Sequence, residues 1–385
     1  MTLMNIFCVP ENFWRKESSL PLWNRIDQYF KRRCMKYLEG LFSKETITPD
    51  DMKWDNVKQI LVVRPHDQLG DFLLSTPALR ALRERFAEAT IGIIVRDYCA
   101  GAVQHNLYID RVMIFYENGL RWTPKRIWTL WKQLHNKWDM AIVFNSESHS
   151  LTSDLLATLS GAKYILGSER FPFHGCTKNF FYNLIAPDSG SDKHQIERNL
   201  DIVHYIGATM EDRSETVHVT DDERDTVRNE FKNVYIHNDK NPIIGLHIGA
   251  NKVENRWPVE RFAKLANELH KKHRLRIVVF WGPKETELSR RFRQHVQCKP
   301  AMIEPTTLRR QAIHFSLCDG VVCNDTGIMH LCAAVGTPLV ALFGPTDPTY
   351  WKPIGKKFIA VRGNGNKIEN VTVEQVVREL KKLIQ

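Results

Sequence analysis

No Cys-x-x-Cys pair occurs anywhere in the chain, although it carries eight cysteines: Cys8, Cys34, Cys99, Cys176, Cys298, Cys318, Cys323 and Cys332. Scattered singly and mostly in apolar stretches, they read as buried free thiols rather than a disulfide framework. Cys318, Cys323 and His330 lack the second ligand pair of a tetrahedral zinc site, so no metal is expected there. Also missing is a long apolar run. The longest, Leu331 to Phe343, is broken by Gly336 and Pro338 and is too short to span a bilayer. No signal-peptide pattern opens the chain, so a cytoplasmic protein is expected. Gly-x-Gly-x-x-Gly does not follow the first candidate strand, which argues against a dehydrogenase. Zinc fingers, RNP-type aromatic motifs and basic-region helices are absent as well, which argues against a nucleic-acid partner.

What is present is a globular composition, 43% hydrophobic and 10% aromatic, in 385 residues, enough for two ordinary domains. Fifty-four Lys and Arg against 44 Asp and Glu give a net charge of +10. Such a surface favours nucleic acid, anionic lipid or phosphorylated sugars, and charge alone does not choose among them. Part of the excess sits in residues 1–55, where Trp14, Leu20, Trp23, Ile26 and Phe30 are set among Arg15, Lys16, Arg25, Lys31, Arg32 and Arg33. Trp23, Ile26 and Phe30 share a helix face, which either packs on the protein or lies on an anionic membrane surface.

From Lys58 onward strand and helix alternate. Ile60–Val63 is a continuous apolar run of the kind a parallel sheet buries on both faces, and Thr90–Val95, Val112–Phe115 and Met140–Phe144 continue the series. Ile127, Leu130, Trp131 and Leu134, at helical spacing between Trp122 and Trp138, read as core. A polar stretch from Glu211 to Lys240 then marks a junction. The alternation restarts with strands at Ile243–Ile248, Arg276–Phe280, Gly320–Cys323 and Leu339–Phe343. Helices are expected from Pro258 to about Lys271, from about Glu285, from about Thr307 to Leu317, and through Leu331 to Val335, with Pro258 at the first helical position. The expected organisation is α/β: an extension 1–55, a Rossmann-like domain 56–210, a linker 211–241 and a second Rossmann-like domain 242–385 ending in a helix.

Ligands of open α/β sheets bind at the carboxyl ends of strands, so the loops there carry the chemistry. Arg64-Pro65-His66-Asp67-Gln68-Leu69-Gly70-Asp71 follows the first strand, and Asp71 either caps the next helix or takes a proton from an attacking hydroxyl. Gly249-Ala250-Asn251-Lys252-Val253-Glu254-Asn255-Arg256 leads into a helix amino terminus and offers Lys252 and Arg256 to a diphosphate. Glu285, after Trp281-Gly282-Pro283, is placed to bind a ribose or sugar hydroxyl. In Asn324-Asp325-Thr326-Gly327-Ile328-Met329-His330, the Gly327 and Ile328 amides, the Thr326 hydroxyl and His330 suit a diphosphate. Phosphate would repel Asp325, which suits a helix cap or sugar hydroxyls instead.

Taken in order, these segments resemble glycosyltransferase family 9, the bacterial lipopolysaccharide heptosyltransferases, over about residues 58–385. The resemblance rests on Ile60-Leu61-Val62-Val63-Arg64 with Leu69-Gly70-Asp71, Thr76-Pro77-Ala78-Leu79-Arg80-Ala81-Leu82, His194-Gln195-Ile196-Glu197-Arg198-Asn199-Leu200 before the linker, Arg256-Trp257-Pro258, Asp325-Thr326-Gly327 with His330, and Gly344-Pro345-Thr346-Asp347-Pro348. It implies a GT-B fold of two Rossmann-like domains facing a cleft, and inverting transfer from an ADP-heptose donor to a Kdo- or heptose-bearing lipid A acceptor, without metal or cofactor. By the same resemblance Asp71 is the general base. Thr326, Gly327 and His330 hold the diphosphate and Asp325 the heptose, while Asn251, Lys252, Asn255, Arg256 and Glu285 complete the donor site. Arg64, His66, Gln68 and Gly70 face the acceptor. The sequence departs from the family at Asn255, where a lysine is common, and in the bulky Pro65-His66-Asp67-Gln68. A donor other than ADP-heptose, or a homologue that binds without catalysing, are the alternatives.

Overall fold

The computed structural model describes residues 22–146, 150–170, 173, 176, 178–188, 190, 192–235 and 241–384, with no side-chain account of 22–30 and 231–235. Trp14 and Leu20, and the side chains of Trp23, Ile26 and Phe30, therefore lie outside the described residues. A helix does run over Leu22–Phe42. At its far end Met35 is buried, Leu38 and Phe42 pack on the protein's own core, and Phe42 meets Phe181 at 5.6 Å.

By its contacts the chain divides into two compact units. The first takes the described residues within 1–67, 78–100 and 108–210, and the second those within 68–77, 101–107 and 211–385. In the first unit β1 (Gln59–Arg64), β2 (Thr90–Arg96), β3 (Arg111–Phe115), β4 (Met140–Val143), β5 (Tyr164–Ser168) and β6 (Leu184–Ala186) form a sheet in the order 3-2-1-4-5-6. In the second, β7 (Ile243–His247), β8 (Arg276–Phe280), β9 (Ala301–Ile303), β10 (Gly320–Asn324), β11 (Leu339–Phe343) and β12 (Phe358–Arg362) lie in the order 9-8-7-10-11-12. Every pairing is parallel, for instance Ile60 with Ile91 and Met140. Both orders are the doubly wound pattern, with the switch point at the first and fourth strands of each sheet.

Central strands read clearly in the sequence because burial on both faces makes them continuous apolar runs. Strands β5, β6, β9 and β12 are not among those expected from the sequence. Of these, β6 and β9 are only three residues long, and β12 is half-buried over much of its length. Asp221–Tyr235, within the polar stretch, is a helix. Pro258 stands at the cap of the Val259–His273 helix rather than at its first position.

One expectation is corrected. The helix between Trp122 and Trp138 spans only Pro124–Leu134, and of its four supposed core residues only Leu134 is buried. Leu130 is half-buried against the core, whereas Ile127 is 55% and Trp131 48% exposed. Helical spacing identifies residues that share a face, but not what the face meets.

Candidate functional site

The second unit gathers most of the residues singled out from the sequence: Gln68, Gly70, Asp71, the loop 249–256, Glu285, Asp325, Thr326, Gly327 and His330. Arg64 and His66 belong to the first unit. Arg64 is buried, ion-paired with Asp67, and its guanidinium lies 5.0 Å over the Phe144 ring. His66 sits edge-on to Phe115 at 5.4 Å, and burial, aided by the Arg96 charge, pushes its pKa down.

Asn324, fully buried at the end of β10, ties two loops together. Its amide nitrogen donates to Gly249 O at 2.9 Å and its oxygen accepts from Trp257 N at 3.0 Å. Trp257 is anchored in turn by its indole N–H, which donates to Val371 O at 2.9 Å. Arg256 holds its own loop, with Nε donating to Ala250 O at 2.5 Å, while Lys252 and Asn251 are exposed. Asn255 is buried, and its amide donates to Asp325 Oδ2 at 3.1 Å. Thr346, from the Gly344–Pro348 turn, also bonds the Asp325 carboxylate. Burial raises the Asp325 pKa, opposed by the Thr346 bond and by the His330 and Lys252 charges. Glu285 folds back so that its carboxylate accepts from Gly282 N at 2.7 Å and occupies the space where a Cβ on Gly249 would stand.

Thr326 supplies the cap of the Gly327–Ala334 helix, its hydroxyl accepting from Ile328 N at 3.2 Å. The capping alternative raised for Asp325 therefore falls to its neighbour, and the Ile328 amide is engaged by Thr326. His330 lies one turn in and is buried. Its Nδ1 stands 2.9 and 3.1 Å from the two carboxylate oxygens of Glu215, whose side chain is 1% exposed. Burial alone would lower the His330 pKa; the Glu215 charge and hydrogen bond, with lesser contributions from Asp325 and Asp71, raise it above the usual value. The Glu215 charge thus favours the protonated imidazole, against the effect of burial.

The Leu69–Leu73 helix approaches the Gly327–Ala334 helix through glycine on both sides. A Cβ on Gly70 would lie 2.9 Å from His330 Cδ2, and one on Gly327 3.0 Å from Leu69 Cβ and 3.2 Å from Gly70 N. Only glycine leaves room for that approach. Asp71 is half-buried and reaches back to accept from Gln68 N at 3.3 Å, so it does close the helix end, through a long bond. Its charge also acts on His330. Beyond Glu215 the chain is tied at two points: Thr216 N donates to Thr76 Oγ1 at 3.1 Å, and Val217 N to Ala334 O at 2.9 Å.

Glu215 was not among the candidates from sequence. It lies in the polar stretch 115 positions before its partner, and nothing local distinguishes it from a solvated acid. Among the described residues no cluster of His, Cys, Asp and Glu is arranged to hold a metal ion. Cys99, Cys318, Cys323 and Cys332 are buried free thiols and Cys34 is exposed.

The arrangement combines a histidine, a helix amino end and two aspartates at the carboxyl edge of a parallel sheet, a setting suited to an anionic group. Lipooligosaccharide heptosyltransferase 2 of Haemophilus ducreyi is 23% identical over 357 residues, covering 85% of this chain and 99% of its own. Among solved structures, a family 9 glycosyl transferase from Veillonella parvula superposes with a TM-score of 0.72 at 22% identity over 85% of this chain and 97% of its own. Escherichia coli ADP-heptose LPS heptosyltransferase II gives 0.69 at 22% identity, over 85% and 98%. These likenesses show the two-domain α/β fold of the GT-B class. The family description "Glycosyltransferase family 9 (heptosyltransferase)" matches residues 127–381, about two thirds of the chain, and the protein belongs to that family.

Proposed function

We propose that the protein transfers heptose with inversion from ADP-heptose to a Kdo- or heptose-bearing lipid A acceptor in the lipopolysaccharide core. The observation that carries this reading is the buried His330–Glu215 pair in the Gly327–Ala334 helix, near enough to Asp71 and Asp325 for their charges to act on the imidazole. The heptosyltransferase names of the relatives support the donor and acceptor classes.

In this reading the acceptor hydroxyl gives its proton to Asp71 as its oxygen attacks the anomeric carbon, and the carbon–oxygen bond to the β-phosphate breaks on the opposite face. Negative charge then grows on the departing diphosphate, where the His330 imidazolium and the Gly327 amide meet it. Asp325, held by Asn255 and Thr346, accepts from heptose hydroxyls. Glu285 binds the donor's ribose, and Lys252, Arg256 and Asn251 line the diphosphate. Gln68 and Gly70, with Arg64 and His66, form the acceptor side.

Asp71→Ala is expected to lower turnover by about 100-fold or more while ADP binding stays nearly intact. Calorimetric ADP titration beside a transfer assay with ADP-heptose and truncated Kdo-lipid A measures both. Loss of ADP binding in step with turnover refutes the base assignment, and binding of another nucleotide in preference to ADP refutes the donor.

A further inference from the structure

In the first unit the Pro124–Leu134 helix and the turn before it present an apolar face to solvent: Leu120 is 94% exposed, Trp128 65%, Ile127 55% and Trp131 48%. Leu134 and Leu130 seat the helix on the core, and the exposed residues continue the apolar face outward from them. At about 100° per residue, Ile127 and Trp131 lie roughly 40° apart and Trp128 about 60° beyond, which makes one strip. Lys125 and Lys132 follow about 40–60° past Trp128, along one margin of the strip.

Within this segment the sequence carries charge of one sign. From Asn118 to Trp138 the sequence contains Arg121, Lys125, Arg126, Lys132 and Lys137 and no Asp or Glu. Arg121 pairs with Asp97 and Arg126 lies over the Tyr116 ring at 4.3 Å, while Lys125 and Lys132 flank the Trp128 side of the strip. A recess of about 670 Å³, lined in part by Arg111, Asn136, Trp128 and Lys132, adjoins the same side. Tryptophans with lysines at their margin suit a boundary between hydrocarbon and anionic head groups, where the rings enter and the ammonium groups stay at the surface.

We infer that this face is a docking surface for an anionic membrane, with Leu120, Ile127, Trp128 and Trp131 entering the lipid and Lys125 and Lys132 meeting its head groups. This does not depend on which sugar is transferred. Flotation of the full chain with phosphatidylglycerol–phosphatidylethanolamine vesicles, against phosphatidylcholine alone, tests it, and brominated lipid reports tryptophan entry by quenching. The native chain should bind the anionic vesicles preferentially. Trp128→Ser with Trp131→Ser should lower that partition by about tenfold or more, and Lys125→Glu with Lys132→Glu should do likewise, with ADP affinity unchanged in both. The inference is overturned if neither pair changes the partition, if binding is absent or equal on neutral vesicles, or if the native chain is a dimer that the tryptophan substitutions dissociate.

Discussion

Glu215 sets the direction in which the His330 pKa moves, because its carboxylate lies against the ring and both side chains are buried. Since the His330 pKa is raised, the stability gained from the pair is fully present below the ordinary histidine value and is lost as pH rises through the raised one. Glu215→Gln keeps a hydrogen-bonding shape and removes the charge. Its expected effect is to move the upper limb of the ADP-affinity profile to lower pH, read by titrating ADP calorimetrically across pH, with partial recovery in Glu215→Asp. A parallel weakening at every pH would mean that Glu215 only fills space. The sequence points to His330 because it follows Asp325-Thr326-Gly327 at helical distance. It cannot point to Glu215, whose role exists only once the chain after residue 210 is laid against the end of the Gly327–Ala334 helix.

Helices and strands were legible in proportion to how local their causes are. Central strands such as β1 and β10 are apolar throughout, and the Val259–His273 helix carries a clean inner face of Phe262, Leu265, Ala266 and Leu269. The Pro124–Leu134 helix has the same periodicity with a different environment, so its outer aromatics look like core until neighbours are counted. The Leu69–Leu73 helix depends on a distant element, since Gly70 and Gly327 let two backbones meet. An alanine at Gly70 presses on the buried His330 ring, whereas at Gly327 it meets Leu69 Cβ and the Gly70 backbone. Each substitution is expected to destabilise the second unit by about 1–3 kcal/mol, Gly327→Ala more than Gly70→Ala, as urea unfolding would measure. Gly70→Ala should in addition weaken ADP binding by displacing His330; equal stability and affinity in both variants would contradict the close approach.

For the whole molecule, the two sheets share one strand order, yet the candidate donor residues all fall in the second unit. ADP is therefore expected to slow amide hydrogen exchange at residues 69–74, 216–217 and 327–334 and to leave β2 and β4 of the first unit unchanged. Protection spread evenly over both sheets would speak against that placement. Among the described residues no helix is long and apolar enough to cross a membrane.

The second unit is not continuous in sequence: residues 68–77 and 101–107 belong to it, although more than a hundred positions separate them from Glu211. On the ribosome Leu69 and Gly70 emerge long before Gly327, and their packing surface stays open until Gly327 has been made. A fragment starting at residue 211 would likewise lack the helix that covers Gly327. The candidate base and the candidate phosphate-binding helix thus come together only once the chain through Ala334 has been made.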